Sequence, residues 1–184
     1  MKNFVFGYGS LINLQSAEKT LGKSVKNSDA QIVNLVNYFR VWRLTGQVIV
    51  KHFQNPINAV FLDIADQNGE ELNGILIKVT SDELKKLDKR EKHYRRINVT
   101  QFIRPQVQDG KIFTYQGEPE FFADNFPNPV VLTQYVKMVE QGTEYWGKEF
   151  SDQFNKTTRH HQFKTVDGHY KFYDVEQSIL TGRD

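Results

Sequence analysis

The chain has 184 residues, of which 39% are hydrophobic and 25% charged, and it contains no cysteine. This composition excludes an intrinsically disordered protein. Without cysteine, the chain has no disulfides, thiol nucleophiles or thiolate metal sites. Its 24 basic and 22 acidic residues leave a net charge of +2 with no long basic block, which argues against nucleic acid as a main partner.

The apolar segments of the chain are short. None approaches the roughly 20 residues that a membrane-spanning helix requires. Near the N-terminus, Gly7 and Gly9 interrupt an apolar run that is too short for a secretory signal. We therefore expect a cytoplasmic protein with no membrane partner, and we leave its oligomeric state open.

The first predicted elements are a short strand and a short helix. The strand is the apolar run NFVF, which ends at Gly7, and the helix lies in NLQSAEKTLG. Leu14, Ala17 and Leu21 share one face of this helix, and Gly22 is a candidate stop signal. The aromatic and β-branched segment AQIVNLVNYFRVWRLTG then predicts one or two strands.

Two hairpins are predicted in the middle of the chain. In the first, strands NAVFLDI and NGILIKV lie on either side of ADQNGEEL, whose Asn68-Gly69 pair is a strong turn signal. In the second, NVTQFIR and KIFTYQG flank PQVQDG, which turns near Asp109-Gly110.

The C-terminal third has a different texture. A helix is predicted in VVLTQYVKMVEQGTEYWGKEF, because Val131, Tyr135, Met138 and Val139 fall on one side. The polar tail that runs to Asp184 is weakly patterned, and it either wraps the domain or is partly loose. Runs of strands with few helices predict an α+β fold rather than a doubly wound sheet.

The segment FGYGSLI places two glycines and a serine directly after the first strand. A loop of this kind can present backbone N–H groups to an anion. No Gly-Lys-Ser/Thr follows, so it is not a P-loop, and Ile12 stands where a dinucleotide fingerprint needs Gly or Ala. Tyr8 and Ile12 also occupy the positions flanking Ser10 where a nucleophile elbow needs glycine. Two readings stay open: an anion cradle, or a tight turn without a ligand.

The second informative stretch is TSDELKKLDKREKHYRR at residues 80–96, which opens with a capping box and predicts a helix over 81–92. Leu84, Leu87 and Glu91 fall on one helical stripe. A carboxylate on a buried stripe is either paired or has a raised pKa, and the latter suits a general acid/base near neutral pH. In the alternative, the helix ends before Glu91, which then pairs with Arg95 at the surface.

The segments FVFGYGSL, NAVFLDIADQNGEELNGILIKV and LDKREKHYRRINV occur in this order, and together they resemble the γ-glutamylcyclotransferase-like superfamily. The resemblance covers about residues 4–115, and VVLTQYVKMVEQG is similar to the C-terminal helix of the family. It implies an α+β fold with a small mixed β-barrel and flanking helices. It also implies one domain over residues 1–184, with a core of about 1–150 and a C-terminal extension at 151–184.

The resemblance further implies an activity, namely release of 5-oxoproline from a γ-glutamyl amine or γ-glutamyl amino acid, without a metal or cofactor. Glu91 would be the general acid/base, and Tyr94 either binds the substrate or fills the core. The residues whose backbone holds the amino acid end of the γ-glutamyl group would be Tyr8, Gly9, Ser10 and Leu11. The alternative is a non-catalytic small-molecule-binding protein of the same fold.

Other candidate sites have less support in the sequence. Ser10 as a nucleophile has no assignable histidine partner. His160, His161 and His169 lie in a polar segment without the carboxylate spacing that a zinc site would need. We expect Tyr115 to fill the core.

Overall fold

The computed structural model describes residues 2–183, in which nine strands form one mixed sheet and five α-helices flank it. The strands are β1 (Lys2–Gly7), β2 (Ala30–Val50), β3 (Ile57–Val79), β4 (Tyr94–Asn98), β5 (Ile103–Arg104), β6 (Gly110–Gly117), β7 (Val130–Leu132), β8 (Lys164–Val166) and β9 (Tyr170–Phe172). The helices are α1 (Leu14–Leu21), α2 (Ser81–Arg90), α3 (Thr133–Tyr145), α4 (Lys148–Lys156) and α5 (Val175–Leu180). The α+β prediction is confirmed, and the sheet curls into a half-barrel.

The sheet runs in the order β4-β6-β1-β3-β2-β5. Strand β1 is parallel to β6 and antiparallel to β3, so the N-terminal strand lies in the middle of the sheet. The C-terminal third joins the same sheet, because β9 pairs with β2 and β7 pairs with both β3 and β8. The predicted tail is therefore docked on the half-barrel rather than loose.

The first predicted hairpin is wrong. Strand β3 is continuous and pairs with β2 on both sides of the Asn68-Gly69 turn. The register passes from Val36 opposite Glu71 to Tyr38 opposite Asp66, so residues 67–70 form a large bulge. The turn signal is real locally, since Gly69 has φ of 84°. It does not reverse the strand, because β2 is long enough to pair beyond it.

Two other boundaries also differ from the predictions. Strand β6 pairs with β4 rather than with NVTQFIR, which is divided into a 3₁₀ turn and the short β5. The predicted C-terminal helix begins only at Thr133, because the three residues before it form β7, where Val131 is fully buried. Gly147, with φ of 100°, separates α3 from α4.

The two N-terminal helices form where the sequence predicts them, although the second ends at Arg90 rather than at residue 92. Helix α1 ends at Gly22, whose φ of 69° is the left-handed conformation that glycine favours at a helix end. Helix α2 begins with the predicted capping box between Thr80 and Glu83 and buries Leu84 and Leu87. Within residues 2–183, no helix is both long and apolar enough to cross a lipid bilayer.

Candidate active site

The loop that follows β1 is tightly folded. Its 3₁₀ turn spans Ser10–Ile12, and Ile12 N donates to Gly9 O at 3.0 Å. Gly7 is needed for space, because a Cβ there would lie 2.7 Å from Leu11 Cβ; Gly9 is tightly packed, because a Cβ there would lie 3.2 Å from Tyr135 Oη. The glycines therefore allow the backbone to reverse beneath its neighbours.

Three amides in this loop remain available to a ligand. Among the described residues, no protein atom accepts a hydrogen bond from the N–H groups of Gly9, Ser10 and Leu11. Donors of this kind, presented side by side in a turn, form a concave site for a carboxylate or an oxyanion.

A fully buried arginine holds the loop in place. Arg40 Nε donates to Tyr8 O at 2.7 Å, and its other nitrogens donate to acceptors on β3 and α4 that include Asn73 O and Phe154 O. Burial lowers the pKa of Arg40 to about 9. Arg40 was not predicted to contribute to the site, although a charge within the aromatic segment YFRVWR was the available signal.

Glu91 lies just beyond the end of α2. It is the C-cap residue, and its N–H donates to Leu87 O at 2.8 Å. The helix does end before Glu91, as the alternative has it, but the side chain of Glu91 is only 15% exposed, so the surface ion pair is wrong. Arg95 instead donates to Gln116 Oε1 at 2.9 Å.

The Glu91 carboxylate has an unusual environment. Arg90 Nε lies 3.1 Å from Glu91 Oε1, but the pair lacks hydrogen-bond geometry, and this oxygen accepts no hydrogen bond from any described residue. Burial raises the pKa of Glu91, and the Arg90 charge opposes that rise. A carboxylate with a raised pKa and an unoccupied lone pair can accept and return a proton.

Arg90 connects Glu91 to the glycine-containing loop. Its guanidinium is buried and donates to Ser10 Oγ at 2.9 Å, Ser16 Oγ at 3.0 Å and Thr20 Oγ1 at 2.6 Å. These bonds fix the C-terminus of α2 against α1 and the loop. Arg90 was not predicted to contribute to the site, although its position next to Glu91 was the available signal.

Two cavities meet at Glu91. The smaller, of about 310 Å³, is lined by the loop, by Glu91 and by residues from β1, β3, β4, β6 and α3. The larger, of about 520 Å³, extends toward residues 170–183, which we call the C-terminal segment. The side chains that line both cavities are Ser10, Glu91, Tyr94 and Tyr135. The residues named from the sequence that line the smaller cavity are Tyr8, Gly9, Ser10, Leu11, Glu91 and Tyr94.

The tyrosines around the smaller cavity are anchored by their hydroxyl groups. Tyr94 donates to Leu62 O at 2.7 Å, and Tyr8 donates to Tyr115 O at 2.7 Å. Burial raises the pKa of Tyr8 and of Tyr94, so both are neutral phenols. Tyr115 is 3% exposed, and its hydroxyl donates to Asp88 Oδ1 at 2.9 Å. Each phenol oxygen retains capacity to accept a hydrogen bond from a ligand.

The other candidate sites are not assembled. Ser10 Oγ accepts a hydrogen bond from Arg90. The His161 ring packs between Trp42 and Phe163, and His169 contacts Gln134. Among residues 2–183, no three side chains of the metal-ligating types lie together.

The fold is similar to that of several solved structures. A structure described as γ-glutamyl cyclotransferase matches with a TM-score of 0.56 and 15% identity over 99% of both chains. A yeast γ-glutamyl cyclotransferase specific to glutathione matches with a TM-score of 0.54 and 13% identity, covering 88% of this chain and 99% of its own. An uncharacterized human protein gives a TM-score of 0.56 and 18% identity, covering 90% and 94%.

These similarities lie in the structure rather than in detectable sequence relationship. No protein-family model matches the chain, and no curated protein matches its sequence. At 13–18% identity the structural likeness speaks for the backbone and not for a substrate. The resemblance read from the sequence is confirmed at that level: this chain has the γ-glutamylcyclotransferase-like fold.

Proposed function

We propose that the protein is a γ-glutamyl cyclotransferase, which converts a γ-glutamyl amine or γ-glutamyl amino acid into 5-oxoproline and the free amine. The observation that carries this proposal is Glu91, a largely buried carboxylate with one unpartnered oxygen that lies where two cavities meet. The similarity to structures described as γ-glutamyl cyclotransferases supports it.

The smaller cavity suits the γ-glutamyl group. Its α-carboxylate would accept hydrogen bonds from the amides of Gly9, Ser10 and Leu11, which have no described protein acceptor. Hydrogen bonds from several amides to a carboxylate are charge-assisted and therefore strong. With its α-carboxylate fixed there, the substrate folds back so that its α-amine approaches both its own γ-carbonyl carbon and Glu91.

The reaction then needs only proton transfers and ring closure. Glu91 takes a proton from the α-ammonium group, and the freed nitrogen attacks the γ-carbonyl carbon to give a tetrahedral oxyanion. The C–N bond to the leaving group breaks as Glu91 returns the proton to the departing nitrogen, and the ring nitrogen passes the extra proton that it carries after its attack to the released amine. The products are 5-oxoproline and an amine, and the carboxylate is regenerated. Holding the two ends together supplies much of the acceleration, since effective molarities of about 10⁵ M are known for such ring closures.

The environment of Glu91 suits both proton transfers. Burial makes the carboxylate more basic, so it competes better for the ammonium proton. The adjacent Arg90 opposes this effect, which keeps Glu91 ionised over a wider pH range. The balance places the proton affinity between those of an exposed glutamate and an unpaired buried one.

The experiment is a product assay. Wild-type protein is incubated with a panel of γ-glutamyl amines and γ-glutamyl amino acids, and 5-oxoproline is quantified by mass spectrometry. Glu91→Gln should slow product formation by at least about 100-fold, whereas Glu120→Gln, which makes the same change on an exposed 3₁₀ turn, should not. Bound substrate without turnover by the wild type would favour the non-catalytic alternative, and equal turnover by Glu91→Gln would refute the mechanism.

A further inference from the structure

The C-terminal segment forms one wall of the larger cavity. Strand β9 pairs with the end of β2, and α5 is fixed to α2. Gln177 Nε2 donates to Arg90 O at 2.9 Å, and Glu176 pairs with Lys89 at 2.7 Å. Asp174 caps α5 and also pairs with Lys92. This wall is therefore held against the residues on either side of Glu91.

One part of the wall of the larger cavity is aromatic. Phe61 lies at the centre of a ring cluster, with centroids 5.0 Å from Tyr135, 5.5 Å from Phe172 and 6.4 Å from Tyr170. Gly46 lines the same cavity, and a Cβ there would lie 3.1 Å from the Phe61 ring. Surfaces of this composition bind a large apolar group, and an aromatic group gains additional edge-to-face contacts.

Within residues 2–183, the charged side chains in this cavity leave one cation without an anion. Arg90 is paired with Glu91, and Lys92 is paired with Asp174. Arg183 has no carboxylate within ion-pair distance among residues 2–183. Its guanidinium stacks on Tyr170 at 4.1 Å and lies 3.6 Å from Met138 Sδ. A guanidinium held in this way is a ready partner for a carboxylate.

A second polar group in the cavity also lacks a partner. Thr45 is 2% exposed, and its Oγ1 makes no hydrogen bond to any described residue. Thr45 lines the larger cavity on the β2 side, together with Leu44 and Gly46. A buried hydroxyl without a partner costs free energy, which a polar ligand atom would recover.

We infer that the larger cavity is the leaving-group subsite, and that it selects an α-amino acid with a large apolar side chain, whose carboxylate binds Arg183. This rests on the proposed function, because Glu91 at the junction places the scissile bond between the two cavities. The side chain of the leaving group would pack on Phe61 and Phe172, and Thr45 Oγ1 would contact one of its polar atoms. The C-terminal segment, which lies outside the stretch whose sequence resembles the family, thus sets substrate preference.

The test uses three substrates that differ by one feature each. γ-Glutamyl-phenylalanine has both a carboxylate and a ring in its leaving group. γ-Glutamyl-phenethylamine lacks only the leaving-group carboxylate, and γ-glutamyl-glycine lacks the ring. Wild-type kcat/KM should be at least about tenfold higher for the first than for the other two, the size expected from one charge-assisted bond or one buried ring. Arg183→Gln should remove the preference for the carboxylate and leave the phenethyl compound within about twofold.

The control is Arg159→Gln, which removes the same charge at an exposed position where Arg159 pairs with Glu70. It should leave all three values within about twofold. Equal wild-type rates with and without the carboxylate, or an Arg183→Gln loss shared equally by both phenyl compounds, would overturn the inference. If no substrate yields 5-oxoproline, calorimetric dissociation constants for the same compounds decide it. Carboxylate-dependent binding without turnover would then refute the proposed function alone, and the absence of binding would refute the inference too.

Discussion

Two buried carboxylates, Asp63 on β3 and Glu91 just beyond α2, have different surroundings. Asp63 on β3 is fully buried and accepts hydrogen bonds from Arg43 Nε at 2.6 Å and from the amides of Ile64 and Gly117 at 2.7 Å each. Glu91 is nearly as enclosed, but its Oε1 accepts none. Burial raises the pKa of both groups. Asp63 lines neither of the two cavities that meet at Glu91.

The contrast teaches that burial alone does not make an acid/base group. The three donors around Asp63 use its lone pairs to join β2, β3 and β6, so protonation there would break existing bonds. Glu91 can change its protonation state without losing a hydrogen bond at Oε1. We therefore assign a structural role to Asp63 and a chemical one to Glu91.

The largest effect is expected from Glu91→Gln on catalysis. The amide keeps the shape of the side chain but cannot take the ammonium proton, so kcat should fall by about 10²- to 10⁴-fold. KM should change little, because the loop amides still bind the substrate. Steady-state kinetics of 5-oxoproline release gives both values. A KM effect with unchanged kcat would assign Glu91 to binding instead.

Asp63→Asn should have the opposite effects, a large loss of stability and little change in kcat. It leaves Arg43 without its anion and should lower the free energy of unfolding by about 3–5 kcal/mol, measured by urea denaturation. The kcat per folded molecule should be within about threefold of wild type, since no reacting atom is touched. A catalytic loss as large as that of Glu91→Gln, in protein that is still folded, would erase the distinction between the two carboxylates.

The sequence predicts those parts of the fold and site that depend on residues close together along the chain. The capping box and the apolar stripe of α2 are local, and they correctly place Leu84, Leu87 and Glu91 toward the interior although the helix ends at Arg90. The loop glycines are also local. The order of the family-like segments along the chain was sufficient to predict the fold, because it combines several such local signals.

The remainder depends on contacts between distant parts of the chain. The Asn68-Gly69 turn became a bulge because β2 continues to pair beyond it. Arg40 contacts the loop, β3 and α4, and no local pattern encodes those partners. The C-terminal segment is polar and weakly periodic, so its place along the larger cavity follows from pairing of β9 with β2.

A smaller effect is expected when the cation beside Glu91 is removed. Arg90 lowers the pKa of Glu91, so Arg90→Gln should raise that pKa and move the acidic limb of the kcat/KM profile to higher pH. The lost bonds to Ser10, Ser16 and Thr20 should also reduce stability by about 1–3 kcal/mol. The matched change Arg104→Gln, at an exposed position, should leave the limb unmoved. An unmoved limb in Arg90→Gln would contradict the electrostatic coupling.

The smallest effect concerns stability and pH. Because the folded-state pKa of Glu91 is raised, its contribution to stability is complete at low pH and is lost as pH rises through that pKa. Glu91→Gln cannot ionise. Its stability should match wild type near pH 4, at about the ordinary pKa of glutamic acid, and exceed wild type increasingly at higher pH. Urea denaturation across this range measures the difference, and a constant difference would show that Glu91 titrates normally.

The most direct test is a carboxyl titration by NMR. Protein labelled with ¹³C at the glutamate side-chain carboxyl is titrated, and the Glu91 signal is assigned by its absence in Glu91→Gln. We expect Glu91 to titrate above the ordinary glutamate value of 4.5. A Glu91 pKa at or below 4.5 would mean that the carboxylate is stabilised as an anion, and it would contradict the role given to this residue.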